Sequence, residues 1–89
     1  MGFLWSEIKN TLIQTRPWKS ISFNQVVEAI EAWNVLYDWA NDSPKYPNQR
    51  MMIIAFEWYT YKVPYEENDW DVKFYTAYPY GKYLHLLSK

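Results

Sequence analysis

Residues 21–40 read ISFNQVVEAIEAWNVLYDWA and carry the strongest helix signal in the chain. Ser22 is a favourable N-cap, and Gln25 three residues later completes a capping box, in which each side chain pairs with the other residue's backbone N–H. The pattern predicts a helix from Phe23 to Ala40 with Trp33 at the centre of its buried face. The apolar residues share one broad stripe at helical spacing: Phe23, Val26, Val27, Ile30, Trp33, Leu36, Tyr37 and Ala40.

Two further apolar side chains of this predicted helix, Val35 and Trp39, fall outside the stripe. The helix therefore needs a second neighbour, which can be another helix or another molecule. A shorter amphipathic helix is predicted over Leu4–Thr15, where four apolar residues share one side: Leu4, Trp5, Ile8 and Leu12. It closes before Pro17, because a proline disfavours helical geometry at the residue that precedes it.

The pattern changes to strands after residue 48. Met51–Tyr61 is dense in the β-branched and aromatic residues that favour strands. Trp70–Tyr78 alternates between two faces, and a turn then leads to a third predicted strand at Tyr83–Leu87. The segment 48–55 is apolar on both faces and also fits a buried helix beginning at Asn48, so the strand there is the preferred of two interpretations.

The length and charge of the chain limit what it can be. Its 89 residues suffice for one core, so we expect a single α+β domain over residues 1–89, with two N-terminal helices on a three-stranded antiparallel sheet in the order ααβββ. The formal net charge is −1 with scattered Lys and Arg, and no basic field exists to attract a polyanion. No basic segment leads into an apolar run, and none of the apolar runs approaches the roughly 20 residues of a membrane span. We therefore expect a cytoplasmic protein without membrane association.

Few residues in this chain could support catalysis or hold a metal ion. His85 is the only histidine and lies between two leucines, a setting that favours a place on the outer face of an edge strand over a nucleophile relay. With no cysteine and no second histidine, a tetrahedral zinc site is excluded on ligand count. A cluster of acidic residues lacks the spacing of a calcium loop and fits a solvated hairpin tip: Glu66, Glu67, Asp69 and Asp71. We therefore predict no enzyme, no catalytic residue, no metal and no cofactor.

Aromatic residues are the most unusual part of the composition, with 6 Trp, 9 Tyr and 4 Phe. A chain of this length cannot bury so many rings. The strand alternation turns Ile54, Phe56 and Trp58 toward the helices. The opposite face of the sheet then presents five candidate contact residues: Glu57, Tyr59, Tyr61, Lys73 and Tyr75. Such a face is typical of protein interfaces. It could equally stabilise the sheet through cross-strand pairs and bind nothing.

The predicted function is that of a small non-enzymatic protein-interaction module, an inhibitor or adaptor. Its partner is a protein or a second copy of the chain, and the contact residues are the five on the sheet face together with Val35 and Trp39. The alternative is single-stranded nucleic-acid binding, with bases stacked on Tyr59, Tyr61 and Tyr75 beside Lys73. This chain is short, rich in aromatic residues and free of cysteine, and in these general features it resembles the inhibitors that phages and archaeal viruses direct against host proteins. The resemblance implies a protein that binds a host protein and blocks its surface.

Overall fold

The computed structural model describes residues 2–41 and 44–87 and has the mixed α+β architecture that the sequence predicted. The expected sheet of three strands is wrong, because these described residues form six strands. The elements are β1 (Gly2–Leu4), α1 (Glu7–Gln14), α2 (Phe23–Glu31), β2 (Val35–Ala40), β3 (Gln49–Phe56), β4 (Tyr59–Glu67), β5 (Asp71–Phe74), β6 (Tyr78–Pro79) and a 3-10 segment (Gly81–Leu87).

The strands form one sheet in the order β1-β5-β4-β3-β2, and β6 pairs with β4. The pairing of β1 with β5 is parallel, and the other pairings are antiparallel. The segment 48–55 lies largely in β3, so the strand interpretation is confirmed. The single strand predicted over Met51–Tyr61 is instead a hairpin that turns at Glu57 and Trp58, and the last predicted strand is the 3-10 segment.

Helix α2 begins where the sequence predicted and ends far earlier. The capping box is present: Gln25 N donates to Ser22 Oγ at 3.1 Å, and Ser22 N donates to Gln25 Oε1 at 3.0 Å. The helix ends at Glu31, however, and the expected continuation to Ala40 is wrong. Val35–Ala40 forms β2 because its Val, Tyr and Trp residues favour strands and pair with β3 along almost the whole segment.

Helix α1 also buries a different face from the one predicted. Ile8 and Leu12 are exposed, whereas Asn10 and Ile13 are buried. The Asn10 Oδ1 atom accepts a hydrogen bond of 2.8 Å from the backbone N–H of Phe23. That N–H belongs to the first turn of α2 and has no partner within the helix. Because Asn10 supplies one, α1 turns a polar residue inward and leaves its apolar ridge in solvent.

The main core lies between the helices and one face of the sheet, and a stack of rings occupies its middle. Phe74 on β5 stacks on Phe3 of β1 and on Phe23 of α2, with ring centroids 5.6 Å apart in both pairs. Trp5 adds a fourth ring, with its centroid 6.1 Å from that of Phe74. The stack therefore joins the N-terminal strand, helix α2 and strand β5.

The opposite face of the sheet is covered as well. Ile53 and Thr60 point away from the helices and are fully buried. The cover consists of four rings, here called the aromatic cover: Tyr37 and Trp39 from β2, Tyr80, and Tyr83 from the 3-10 segment. The Thr60 hydroxyl donates to the Tyr80 carbonyl at 2.6 Å and fastens this layer to β4. The sheet thus has a core on each face, and the second one was not predicted.

Candidate functional site

The sheet face proposed from the sequence does not assemble as one surface. Tyr61 is only 3% exposed and belongs to the main core, so its expected place on an open face is wrong. The reason is the two-residue turn, which pairs Phe56 with Tyr59 and Ile54 with Tyr61. Residues paired across strands share a face, so the turn moves the tyrosines of β4 to the helix side.

Tyr59 is half-buried and already has ring partners within the chain. The ring of Trp18 meets it edge-on at a centroid distance of 5.2 Å, and Lys19 Nζ lies 5.4 Å from its centroid. A Cβ atom placed on Gly81 would come within 3.0 Å of the Tyr59 hydroxyl oxygen, so the glycine there leaves room for that hydroxyl. Tyr59 therefore packs against other residues of the chain and is not a free contact surface.

Tyr75 and Lys73 lie near the far end of β4, away from Tyr59. The Tyr75 hydroxyl donates to Glu66 Oε1 at 2.6 Å, and this hydrogen bond raises the pKa of Tyr75. Lys73 is exposed, with Nζ 5.6 Å from the centre of the Tyr75 ring. Tyr75 lines a depression of about 340 Å³ whose lining also includes Lys45 and Tyr46. These two residues therefore belong to a different part of the surface from Tyr59.

Trp39, the candidate from the predicted long helix, is half-buried in the aromatic cover. Its ring centroid is 5.3 Å from that of Tyr37, and Lys62 Nζ lies 5.6 Å above it. The same Lys62 Nζ is 4.9 Å from the centre of Tyr80. Trp39 packs mainly within the fold, on an edge strand.

The most exposed large rings gather at one end of the sheet. Trp33 is 93% exposed just after α2, and Trp58 is 86% exposed at the tip of the β3–β4 hairpin. The two segments are joined by the hydrogen bond from Ala55 N to Asn34 O at 2.9 Å. We call this region the tryptophan end; it surrounds a depression of about 300 Å³ with the lining Asn34, Ala55, Phe56, Glu57, Trp58 and Leu87.

The backbone at the tryptophan end is strained. Trp33, Glu57 and Trp58 have φ values of 63°, 48° and 65°, in the left-handed region that favours glycine. Each such residue costs roughly 1–2 kcal/mol. A two-residue hairpin turn with positive φ at both positions normally uses Asn-Gly, and the residue after a helix cap is often glycine. Two tryptophans occupy these positions instead, and strain of this kind is concentrated at functional sites.

No protein-family model, curated protein or solved structure matches the chain. Within residues 2–41 and 44–87, no three acidic or histidine side chains come together as they do around a metal ion. The helices of that same part of the chain are too short or too polar to cross a membrane.

Of the seven candidate contact residues, two lie at the tryptophan end. Glu57 lines the depression, and Val35, which is partly exposed, begins β2 beside Asn34. Sequence reasoning missed Trp33 and Trp58, because it assigned both to the buried side of a helix or strand. A glycine or proline at residues 33 and 58 would have indicated that a helix and a strand end there and that these positions are exposed. The sequence has neither residue type at these positions.

A polar cluster crosses the three strands β2, β3 and β4 on the helix side. The Tyr65 hydroxyl donates to Asp38, with oxygen distances of 2.7 and 2.8 Å, and Arg50 Nε donates to that hydroxyl at 3.2 Å. Arg50 also pairs with Asp38 at 3.3 Å. Burial of the phenol and its hydrogen bond to Asp38 raise the pKa of Tyr65 to about 12. A phenol that holds its proton so firmly braces the sheet and is not poised as a base at neutral pH.

The raised pKa of Tyr65 predicts a loss of stability in alkali. Because the folded-state value of about 12 lies above the ordinary 10.0, the contribution of this phenol is complete below pH 10 and is lost as the pH rises through 12. Tyr65→Phe should lower the free energy of unfolding by about 1–2 kcal/mol at neutral pH. The difference in free energy of unfolding between Tyr65→Phe and the wild type, measured by urea denaturation, should become smaller between pH 10 and 12. A difference that stays constant would contradict the assignment.

Proposed function

We propose that this chain is a non-enzymatic protein-interaction module, an inhibitor or adaptor, that contacts its partner protein through the tryptophan end. The observation that carries the proposal is the placement of Trp33 and Trp58, both almost fully exposed and both in a backbone conformation suited to glycine. A tryptophan in such a position buries almost no apolar surface when the chain folds, so its ring contributes little to the stability of the fold. Its ring is better explained by what it contacts outside the chain.

The energetics of binding favour this use of the two rings. Each indole removes roughly 150–250 Å² from water when a partner covers it, and tryptophan is among the residue types enriched where a few interface residues dominate affinity. Trp58 sits on a two-residue turn and Trp33 on a turn tied to β3 by the Asn34 carbonyl. Little chain entropy is lost when such preformed turns bind.

Charge at the tryptophan end supports a protein partner over a nucleic acid. The charged residues nearest in sequence to the two tryptophans are Glu31 and Glu57, both exposed. A single-stranded nucleic acid would require cations beside the stacking rings. The complementary partner surface is an apolar pocket with basic residues at its rim, since opposite charge speeds encounter and sets specificity.

Glycine substitutions separate binding from folding. In the Trp33→Gly and Trp58→Gly variants, relief of the left-handed strain should raise the free energy of unfolding by about 1 kcal/mol per site. The same changes should abolish partner binding. Stability is measured by urea denaturation, and binding by affinity capture from source-cell lysate followed by titration with the purified partner.

The matched control is Trp70→Ser, since Trp70 is 79% exposed and follows β4 at the opposite end of the sheet. This variant should bind as wild type does. A partner that still binds the Trp33→Gly, Trp58→Gly double variant moves the site elsewhere. A labelled oligonucleotide that binds wild type and is released as salt rises would support nucleic-acid binding in place of the proposal.

A further inference from the structure

Strand β2 leaves one of its edges free. It stands last in the sheet order, and no other strand of residues 2–41 and 44–87 pairs beyond it. Its side chains are largely exposed, including Val35, Tyr37 and Ala40. The exposure of Ala40 is informative because so small a side chain cannot project far from the backbone. The main chain of β2 is therefore accessible at Ala40.

The hydrogen-bond pattern identifies the free backbone groups. Asn41 N donates to Gln49 O at 2.9 Å, and residues that exchange hydrogen bonds alternate along an antiparallel pair. Tyr37 and Trp39 therefore bond to β3, opposite Ile53 and Met51. The N–H and C=O groups of Asp38 and Ala40 point outward.

This edge has little of the usual protection against strand pairing, because its one charged side chain, Asp38, already pairs with Arg50. Natural edge strands are commonly blocked by proline, lysine or a bulge. The segment Tyr37–Ala40 contains neither residue type, and the irregularity in β2 lies before it, between Val35 and Tyr37. The opposite edge of the sheet is β1, which is only 3 residues long.

We propose that β2 pairs antiparallel with β2 of a second copy of this chain, about a two-fold axis through Trp39. In this register Asp38 of each copy bonds to Ala40 of the other, which pairs all the outward groups of both residues. Centring the pair on Asp38 would oppose two carboxylates, and like charges directly opposite are destabilising. Centring it on Ala40 would place Trp39 opposite Asn41 and forgo the pairing of two aromatic rings.

The two-fold arrangement joins the aromatic covers of the two copies. Trp39 faces its own equivalent at a position where no backbone hydrogen bonds run between the two copies, and there Cα atoms approach to about 4.5 Å. The contact comprises roughly four main-chain hydrogen bonds and this ring pair. It is well below the size of an obligate interface, so the dimer should form weakly and reversibly. Trp33 and Trp58 lie outside the paired segment, so this inference does not depend on the proposed function.

Cysteine crosslinking tests the register, since the natural chain contains no cysteine. Under mild oxidation, Trp39→Cys should form a covalent dimer rapidly, because its equivalent lies within disulfide range. Ala40→Cys and Tyr37→Cys should crosslink much more slowly, since neither residue faces its own equivalent. Equal rates for the three variants, or a faster reaction at position 40, would overturn the proposed pairing.

Proline at position 40 tests the strand edge itself. Ala40→Pro removes an outward N–H that the fold does not use, and edge strands tolerate proline there. Sedimentation velocity over a concentration series should show a dimer for wild type and for Ala40→Val, which keeps the N–H. In Ala40→Pro the association constant should fall by roughly tenfold or more, with an unchanged circular dichroism spectrum. A wild type that stays monomeric, or a folded proline variant that still dimerises, overturns the proposal.

Discussion

Replacing Phe74 with alanine is expected to lower the free energy of unfolding by about 3–5 kcal/mol. Domains of this size are typically stable by only 5–15 kcal/mol, so a large part of the total would be lost. Phe74 is the ring that joins β1, α2 and β5, and it stacks on both Phe3 and Phe23. Its loss leaves a cavity that three separate elements border. Urea denaturation followed by circular dichroism measures the change.

The matched control for this truncation is Trp33→Ala, which removes a larger ring from the surface. Trp33 has almost no buried area to lose, so the free energy of unfolding should change by about 0.5 kcal/mol or less. The sequence alone predicted the opposite, with Trp33 at the centre of a buried stripe. If Trp33→Ala destabilises the chain as much as Phe74→Ala does, the short α2 and the placement of Trp33 are both wrong.

The second large effect is expected at Ile53. Ile53→Ala should lower the free energy of unfolding by about 2–5 kcal/mol, and Ile53→Val by about 0.5–1.5 kcal/mol. Ile53 points away from the helices and is nevertheless fully buried, between Tyr37 on β2 and Lys62 on β4. Its burial therefore depends on the aromatic cover. The measurement is again urea denaturation.

The dependence on the aromatic cover can be isolated by a double-mutant cycle with Tyr83→Ala. Tyr83 stacks on Tyr37 at 5.6 Å, so removing its ring should open the layer above Ile53. Ile53→Ala should then destabilise the Tyr83→Ala background less than it does the wild type. Fully additive effects would mean that something other than this ring covers Ile53.

The sequence predicted well those features that have a local chemical signature. The start of α2 follows from Ser22 and Gln25, whose capping box acts within four residues. The strand at 48–55 and the mixed α+β class follow from residue composition. These signals do not depend on what packs against the segment, which is why they could be read before the fold was known.

The errors arose where the backbone turns without a turn residue. The predicted helix runs past Trp33, and the predicted strand runs past Glu57 and Trp58, because none of these residues is one that usually ends an element. Each missed turn then changed the faces of the residues that follow. The side-chain period of a strand is two, so Tyr61 moved from the surface into the core.

The candidate site was predicted only in part for the same reason. Glu57 and Val35 were named as contact residues and lie beside the tryptophan end. Trp33 and Trp58 were assigned to the core, because large apolar residues are normally buried and nothing local indicated that these two stand at turns. Their exposure follows from the left-handed backbone, which only the tertiary structure reveals.

The parallel pairing of β1 with β5 has a consequence for how the chain folds. Gly2 pairs with Asp71, so strands from nearly opposite ends of the chain must meet. The hairpins β2–β3 and β3–β4 join neighbouring segments and can form while the chain is still being synthesised. Strand β1 is made before β5 and must wait until β5 has emerged, and closing so long a loop is slow. During that interval Phe3 and Trp5 have no Phe74 to stack on, so two large apolar rings stay unpacked until β5 is in place.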